Sequence, residues 1–276
     1  MDGVMQGTSR ESLAQAADRL ETVLRQQPAP ERAAIGDALF AVTQLLDSNA
    51  GLRRALTDPS REGSDKAALI TRLVDRQVPA DVVDLVAGIA RSRWSRSRDI
   101  ADATDQLAAS AVLAAAQAAD RLDTVEDELF RFGRTVYGTP ALRDVLTDRT
   151  IAGDRKATLV EDLLRGKVAD ETLRLARQAV LAPRGARLDT ILDDYGQLAA
   201  ERRQRQVAHV VVAVPLDATQ RDRLAAALSR SQGHQVQLNI DVDPDVLGGI
   251  RVEIGDEVLD GTVSRRLEDA RRALAG

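Results

Sequence analysis

The sequence predicts a mostly α protein with a small α+β C-terminal domain, in the form of two tandem helical bundles followed by a β-α-β-β-β-α unit. Two observations carry that expectation: a long internal repeat, and a change of hydrophobic period from 3.6 to 2 after Gln206. The expected domains are residues 1–110 and 111–205, one repeat copy each, and 206–276, the small α/β domain.

The repeat is long and nearly gapless. Leu52-Arg53-Arg54-Ala55-Leu56-Thr57-Asp58 returns as Leu142-Arg143-Asp144-Val145-Leu146-Thr147-Asp148. At the same spacing Gly63, Lys66, Ala67, Leu69 and Leu73 match Gly153, Lys156, Ala157, Leu159 and Leu163. Upstream, Ala16-Ala17-Asp18-Arg19-Leu20-Glu21-Thr22-Val23 reappears as Ala118-Ala119-Asp120-Arg121-Leu122-Asp123-Thr124-Val125. That larger offset implies about twelve extra residues in the first copy, around Pro28 and Pro30. Downstream, Gln106-Leu107-Ala108 matches Gln197-Leu198-Ala199.

Within each copy the apolar residues keep helical spacing, as in Ile35, Leu39, Val42 and Leu46. Thr57-Asp58-Pro59 stops one helix, and Ser64 or Asp65 is the expected cap of the next, whose buried stripe is Leu69, Ile70 and Leu73. The second copy has Thr147-Asp148 and Gly153-Asp154, then Leu159, Val160 and Leu163. Past Gln206, the β-branched run Val207 to Val214 ends at Pro215 and reads as a strand buried on both faces, with His209 packed in the core. A helix is expected from Asp217 to Ser229. Val236, Leu238, Ile240 and Val242 alternate with polar residues, as do Ile250, Val252 and Ile254, giving two half-buried strands. Gly255-Asp256 supplies a hairpin turn into Val258-Leu259, and from about Thr262 a helix carries Val263, Leu267, Ala270 and Leu274 on one stripe.

Composition narrows the function. The chain has no cysteine, hence no disulfide or thiolate chemistry, and only two histidines, His209 and His234, in neither a metal-binding nor a triad-like context. No metal site, cofactor or catalytic residue is expected. A net charge of -5 argues against general nucleic-acid binding, and 2% aromatic residues leave little for base stacking or an aromatic-lined ligand pocket. Arg91, Arg93, Arg96 and Arg98 around Trp94 read as a solvated helix end, and Lys66 and Lys156 as water-facing lysines. The alanine-rich run Ala108 to Ala119 is interrupted by Ser110 and Gln117 and falls short of the roughly 20 apolar residues a bilayer needs. Without direct membrane insertion or an export signal at the N-terminus, the chain is expected in the cytoplasm. These exclusions favour a protein that binds other proteins.

The run Asp243-Pro244-Asp245-Val246-Leu247-Gly248-Gly249-Ile250-Arg251-Val252-Glu253-Ile254-Gly255-Asp256-Glu257-Val258-Leu259-Asp260-Gly261-Thr262-Val263-Ser264-Arg265-Arg266-Leu267 closely resembles the C-terminal signature of the delta subunit of F-type ATP synthases, the family of the mitochondrial oligomycin-sensitivity-conferring protein. The signature residues Asp243, Leu247, Gly248, Gly249, Gly255, Asp260, Gly261 and Leu267 read as structural. They include no nucleophile paired with a base and no GxxxxGK[ST] phosphate loop. Gly248 and Gly249 allow a positive φ or close backbone approach, Gly255 serves the hairpin, and Asp260 caps the terminal helix or holds the turn before it. The resemblance covers about residues 111–276, so residues 1–110 duplicate the helical domain, as in enlarged bacterial versions.

The resemblance implies a peripheral-stalk (stator) subunit, without catalytic activity, at the cytoplasmic face of the cell membrane. Its implied partners are the N-terminal helices of alpha subunits and the C-terminal ends of the stalk formed by b subunits. An amphipathic groove can take a partner helix along its apolar face. Candidate contacts are Leu13, Leu20 and Val23 in the first copy, Leu122 and Val125 in the second, and Leu267 and Leu274 on the terminal helix. The competing reading is a helical adaptor or regulatory protein of another assembly.

Overall fold

The computed structural model describes residues 5, 7–183, 186–204, 207–232, 236–243, 249–254 and 257–260. The chain divides into two units, Met1–Ala199 and Ala200–Gly276. The first is helical: α1 (Thr8–Arg25), α2 (Ala29–Ser48), α3 (Ala50–Thr57), α4 (Gly63–Val74), α5 (Ala80–Arg91), α6 (Asp99–Ala118), α7 (Leu122–Gly138), α8 (Pro140–Thr147), α9 (Gly153–Leu164), α10 (Asp170–Leu181) and most of α11 (Leu188–Gln204). Helices α3, α4 and α5 recur as α8, α9 and α10 with every boundary moved by 90 residues.

The repeated residues explain the repeated boundaries. Asp58 Oδ1 accepts from the Ser60 N–H at 2.9 Å and the Ser60 hydroxyl at 2.7 Å, and Asp148 Oδ1 accepts from the same groups of Thr150 at 2.8 and 2.7 Å. Each is an Asx turn between two helices. A Cβ on Gly63 would lie 3.2 Å from the Arg91 carbonyl oxygen, and one on Gly153 would lie 2.6 Å from that of Leu181. The matched glycines therefore let the end of α5 or α10 reach the start of α4 or α9. The expected caps Ser64 and Asp65 lie inside α4; Glu62 occupies the N-cap position without a side-chain hydrogen bond.

One helix joins the two copies. Helix α6 closes the first copy against α1 and α2, and packs on α10 of the second copy as α1 packs on α5 of the first. Sixteen of its 20 residues are buried, and Asp102, Gln106 and Ser110, one turn apart, form a narrow half-exposed polar strip. A single hydrophobic cluster runs from Ala16 and Leu39 through Leu107 and Val112 to Leu129 and Leu175. The expected division at residue 110 falls inside α6, so the two copies share a core where two separate bundles were anticipated. The upstream match is likewise textual. Ala16 to Val23 lies within α1, whereas Ala118 to Val125 spans the end of α6, a turn with Asp120 at φ 55, and the start of α7. Residues 26–28 alone connect α1 to α2, leaving no place there for a twelve-residue insertion.

Two further expectations change in α4 and α9. Ile70 and Val160 are buried as expected, but Leu73 and Leu163 are 38% and 37% exposed. Lys66 and Lys156, expected in water, are only 3% and 5% exposed. The buried face is thus Lys66, Ala67, Ile70 and Val74 in α4, rotated about the helix axis from the anticipated stripe and sharing only Ile70 with it.

The second unit contains β1 (Val207–Val212), α12 (Ala218–Gln232), β2 (Gln237–Val242), β3 (Ile250–Ile254) and β4 (Glu257–Asp260). The strand order is β2-β1-β3-β4, with β1 parallel to β2 and antiparallel to β3. The parallel pair requires a crossover, which α12 provides. Ala208, Val210, Val212, Val252 and Ile254 form one buried sheet face and cluster with Leu228 of α12. Burial on both faces is not what β1 shows: His209 is exposed, beside Asn239 with its Nδ1 3.2 Å from Asn239 Nδ2. The strand stops at Val212, and Val214 is exposed. The proposed turn at Gly255-Asp256 and the terminal helix lie outside the described residues.

A Cβ at Gly36 would stand 2.6 Å from Val112 Cγ2 and 3.0 Å from the Ala108 carbonyl oxygen, at the crossing of α2 and α6. Gly36→Val should therefore destabilise the helical unit by about 1–3 kcal/mol in thermal denaturation. The loss should shift one transition of that whole unit. Separate transitions for residues 8–98 and 122–199 would contradict a shared core.

Candidate functional site

The anticipated partner contacts divide by burial. Leu20, Leu122 and Val125 are 1%, 4% and 0% exposed and belong to the common core, so their apolar area is already covered within the chain. They are corrected to core residues, because an amphipathic helix spends the same stripe on its own bundle that it could offer to a partner. Leu13 and Val23 are half-buried and flank the buried stripe of α1 on opposite sides. Leu267 and Leu274 lie outside the described residues.

Of the signature residues, Asp243 donates its backbone N–H to the Val212 carbonyl at 3.0 Å, closing the end of β1. Gly249 has φ 91 immediately before β3, a conformation in which a side chain is strained. Asp260 ends β4, paired in register with Arg251. Leu247, Gly248, Gly255, Gly261 and Leu267 lie outside the described residues.

The clearest helix-in-groove geometry is internal. Helix α2 packs along α6 and reaches α10, so it lies on the surface formed by the second copy's counterparts of α1 and α5. Arg174 Nε holds both carboxylate oxygens of Asp37 at 3.0 and 3.2 Å, and Phe40 is buried on the same helix. Helix α6 in turn contacts both α1 and α5 of the first copy. Val83 on α5 is half-buried there, and Asp81 and Asp84 are exposed. Sequence reasoning missed this pairing. Its signal was Phe40 and Phe130 at the repeat spacing: the first is covered, and the second is 62% exposed beneath the Arg134 guanidinium.

The arginine-rich segment before α6 is anchored. Trp94 is buried and its indole N–H donates to the Ile89 carbonyl at 3.0 Å. Ser9 on α1 donates to Asp99 at 2.7 Å and accepts from the Ser95 N–H at 2.8 Å, while Ser12 donates to the Arg93 carbonyl at 2.7 Å. Arg96 and Arg98 pair with Asp99 and Asp102 at 2.9 and 3.9 Å.

The second copy contains a cavity of about 730 Å³ among α7, α8, α9, α10 and the start of α11, with Val136, Leu146, Ile151 and Leu192 among its apolar walls. Arg143, Arg149, Lys156 and Arg187 also line it, against the single carboxylate of Asp189. Arg187 is paired with Asp189 at 2.8 Å, and the Tyr137 hydroxyl donates to the same carboxylate.

The Asx turns have an electrostatic consequence. Hydrogen bonds from Ser60, then Arg61 and Lys66, hold the Asp58 carboxyl below its ordinary value. The Thr150 N–H and hydroxyl, then Lys156, do the same for Asp148. A folded-state value below the unfolded one stabilises the fold above the ordinary carboxylate range, and that contribution fades as pH falls through the folded value. Carboxyl NMR titration should find both groups ionising below the usual Asp value of about 3.9. Thr150→Ala should raise Asp148 alone; an unmoved Asp148 would remove this account of the turn.

The described residues define a class of protein in which packed helical repeats precede a small mixed sheet. Comparison with known proteins makes the class specific. The family model of the ATP synthase delta (OSCP) subunit matches residues 106–274, beginning inside α6. The chain is 51% identical to the ATP synthase subunit delta of Streptomyces avermitilis and 48% identical to that of Kineococcus radiotolerans, over 98% of each protein in both cases. A chain of the Toxoplasma gondii mitochondrial ATP synthase hexamer aligns at 22% identity over 61% of this chain and 95% of that one, with a TM-score of 0.30, too low to compare the folds. The chain belongs to the ATP synthase delta (OSCP) subunit family, the non-catalytic component of the peripheral stalk. No helix of the described residues is long and apolar enough to cross a membrane.

Proposed function

We propose that this chain links the catalytic head to the peripheral stalk, gripping the N-terminal helix of an alpha subunit through its helical unit and the C-terminal ends of the b subunits through its small α/β unit. In this reading it acts at the cytoplasmic face of the membrane as a peripheral component, so that proton-driven rotation is coupled to ATP synthesis.

The observation supporting the head contact is the placement of α2. The α6–α10 surface of the second copy carries α2, held by the Arg174–Asp37 pair, whereas on the first copy α6 meets α1 and α5 and leaves half-buried Leu13 and Val83 beside exposed Asp81 and Asp84. The first copy is therefore where a partner helix would dock, with Leu13 and Val83 at its margin and the exposed Asp81 and Asp84 favouring basic residues on that helix. For the stalk contact, the proposal keeps Leu267 and Leu274 from the sequence as apolar anchors.

Val83→Asp places a charge on a half-buried apolar position and should weaken binding of a peptide from the alpha N-terminus at least about tenfold in calorimetric titration. Arg174→Ala, on the surface already covered by α2, should leave that binding unchanged. Circular dichroism must show both variants folded. Equal weakening by both, or failure of folded chain to recover either alpha or b subunits from its own complex, would overturn the reading.

A further inference from the structure

The sheet of the second unit ends differently on its two sides. The strand order β2-β1-β3-β4 leaves β2 and β4 at the edges. An open edge carries backbone N–H and C=O groups that invite a further strand, and edges are commonly blunted by shortness or by charge. Strand β4 has four residues, with Glu257 and Asp260 at its ends. Strand β2 has six, Gln237-Leu238-Asn239-Ile240-Asp241-Val242, with no proline or lysine and with Asp241 as its only charge.

The hydrogen-bonding direction of β2 follows from its neighbour. Asp243 donates its N–H to the Val212 carbonyl of β1 at 3.0 Å, and Val212 stands in register with Val242. In an extended strand the N–H and C=O of one residue point to the same side, and those of the next residue to the other. Asn239 and Asp241 therefore face β1. The N–H and C=O groups of Leu238, Ile240 and Val242 face outward, without a backbone partner among the described residues. The side chains of the same three residues continue the apolar sheet face of their register partners Ala208, Val210 and Val212. Yet Leu238 and Ile240 are only half-buried, and Val242 is 47% exposed. A cavity of about 410 Å³ separates this row from Leu216 and from Ala225 of α12. Outward backbone groups and an open apolar row thus occupy one stretch of chain.

We infer that the outer edge of β2 is a docking site for an extended segment of another polypeptide, which adds as a further strand and sets alternate apolar side chains into the groove between β2 and α12. The backbone row selects an extended partner, because a helix has its own N–H and C=O groups paired internally and cannot bond them. The groove selects apolar residues at every second position, since only these side chains of an added strand reach that face. Exposed Asp241 and Asp243 at the end of β2 favour basic flanks, while Arg221 and Asp222 offset each other at the groove. The site uses neither Leu267 nor Leu274 and does not rest on the head or stalk contacts proposed above.

The probe is an acetylated and amidated heptapeptide, Lys-Val-Thr-Val-Thr-Val-Lys, titrated into the full chain and followed by amide NMR and hydrogen exchange. Saturable binding should shift the Leu238, Ile240 and Val242 amides and slow their exchange. Two further peptides carry N-methyl groups on either the odd or the even amides; one should lose binding and the other keep it, since only one set faces β2. Placing the valines together, as Lys-Thr-Val-Val-Val-Thr-Lys, should weaken binding at least about tenfold. Val242→Lys should do the same, at a residue exposed enough to leave the fold intact. Ile240→Pro removes an outward N–H without touching the bonds to β1 and should abolish binding where circular dichroism shows the variant folded. The proposal is overturned by absence of saturable binding, by equal binding of the two methylated peptides, by affinity unchanged in either folded variant, or by shifts confined elsewhere. Slow exchange of the three amides in the peptide-free chain would also overturn it, assigning the edge to the chain's own residues, or to a second copy where the protection rises with protein concentration.

Discussion

The helical unit depends on a single constraint: α6 must be covered by both copies at once. With 16 of its 20 residues buried and only the narrow strip of Asp102, Gln106 and Ser110 half-exposed, α6 cannot rest against one bundle without exposing apolar surface. Helices α1 and α2 cover one side, and α7 and α10 cover the other. Its small side chains allow close approach, as the Gly36 backbone does against Ala108 and Val112. Sliding one copy past the other would then require breaking α6 or opening a common core. Shared burial thus joins the two copies through a continuous helix and a common core, with no loop between them at α6.

Sharing also breaks the equivalence of the copies. Because α6 serves the second copy as α1 serves the first, α2 necessarily falls on the second copy's outer groove. Asp37 meets Arg174, and Phe40 is buried. Phe130 on α7, the counterpart of Phe40, is by contrast exposed among the described residues. Duplication consequently yields two unlike surfaces, one of them covered by α2. Neither surface could be assigned from the repeated residues alone, since identical motifs in the two copies end in different surroundings.

Much of the architecture was legible in the sequence because it rests on local chemistry. The aspartates at the Asx turns, the glycines at helix crossings and the change to period 2 each dictate backbone geometry within a few residues. What was not legible depends on neighbours distant in sequence. Leu20 and Val125 have the spacing of partner-binding residues, yet the bundle itself covers them. Lys66 and Lys156 sit in first turns that ordinarily face water, but α5 and α10 close over them through the glycine contacts. His209 stands in an apolar run, yet its face of the sheet is the exposed one. The Ala108 to Ala119 run did contain the missing clue, for Ala111 to Ala116 are apolar at consecutive positions, which in a helix implies burial on every side, and all six are buried.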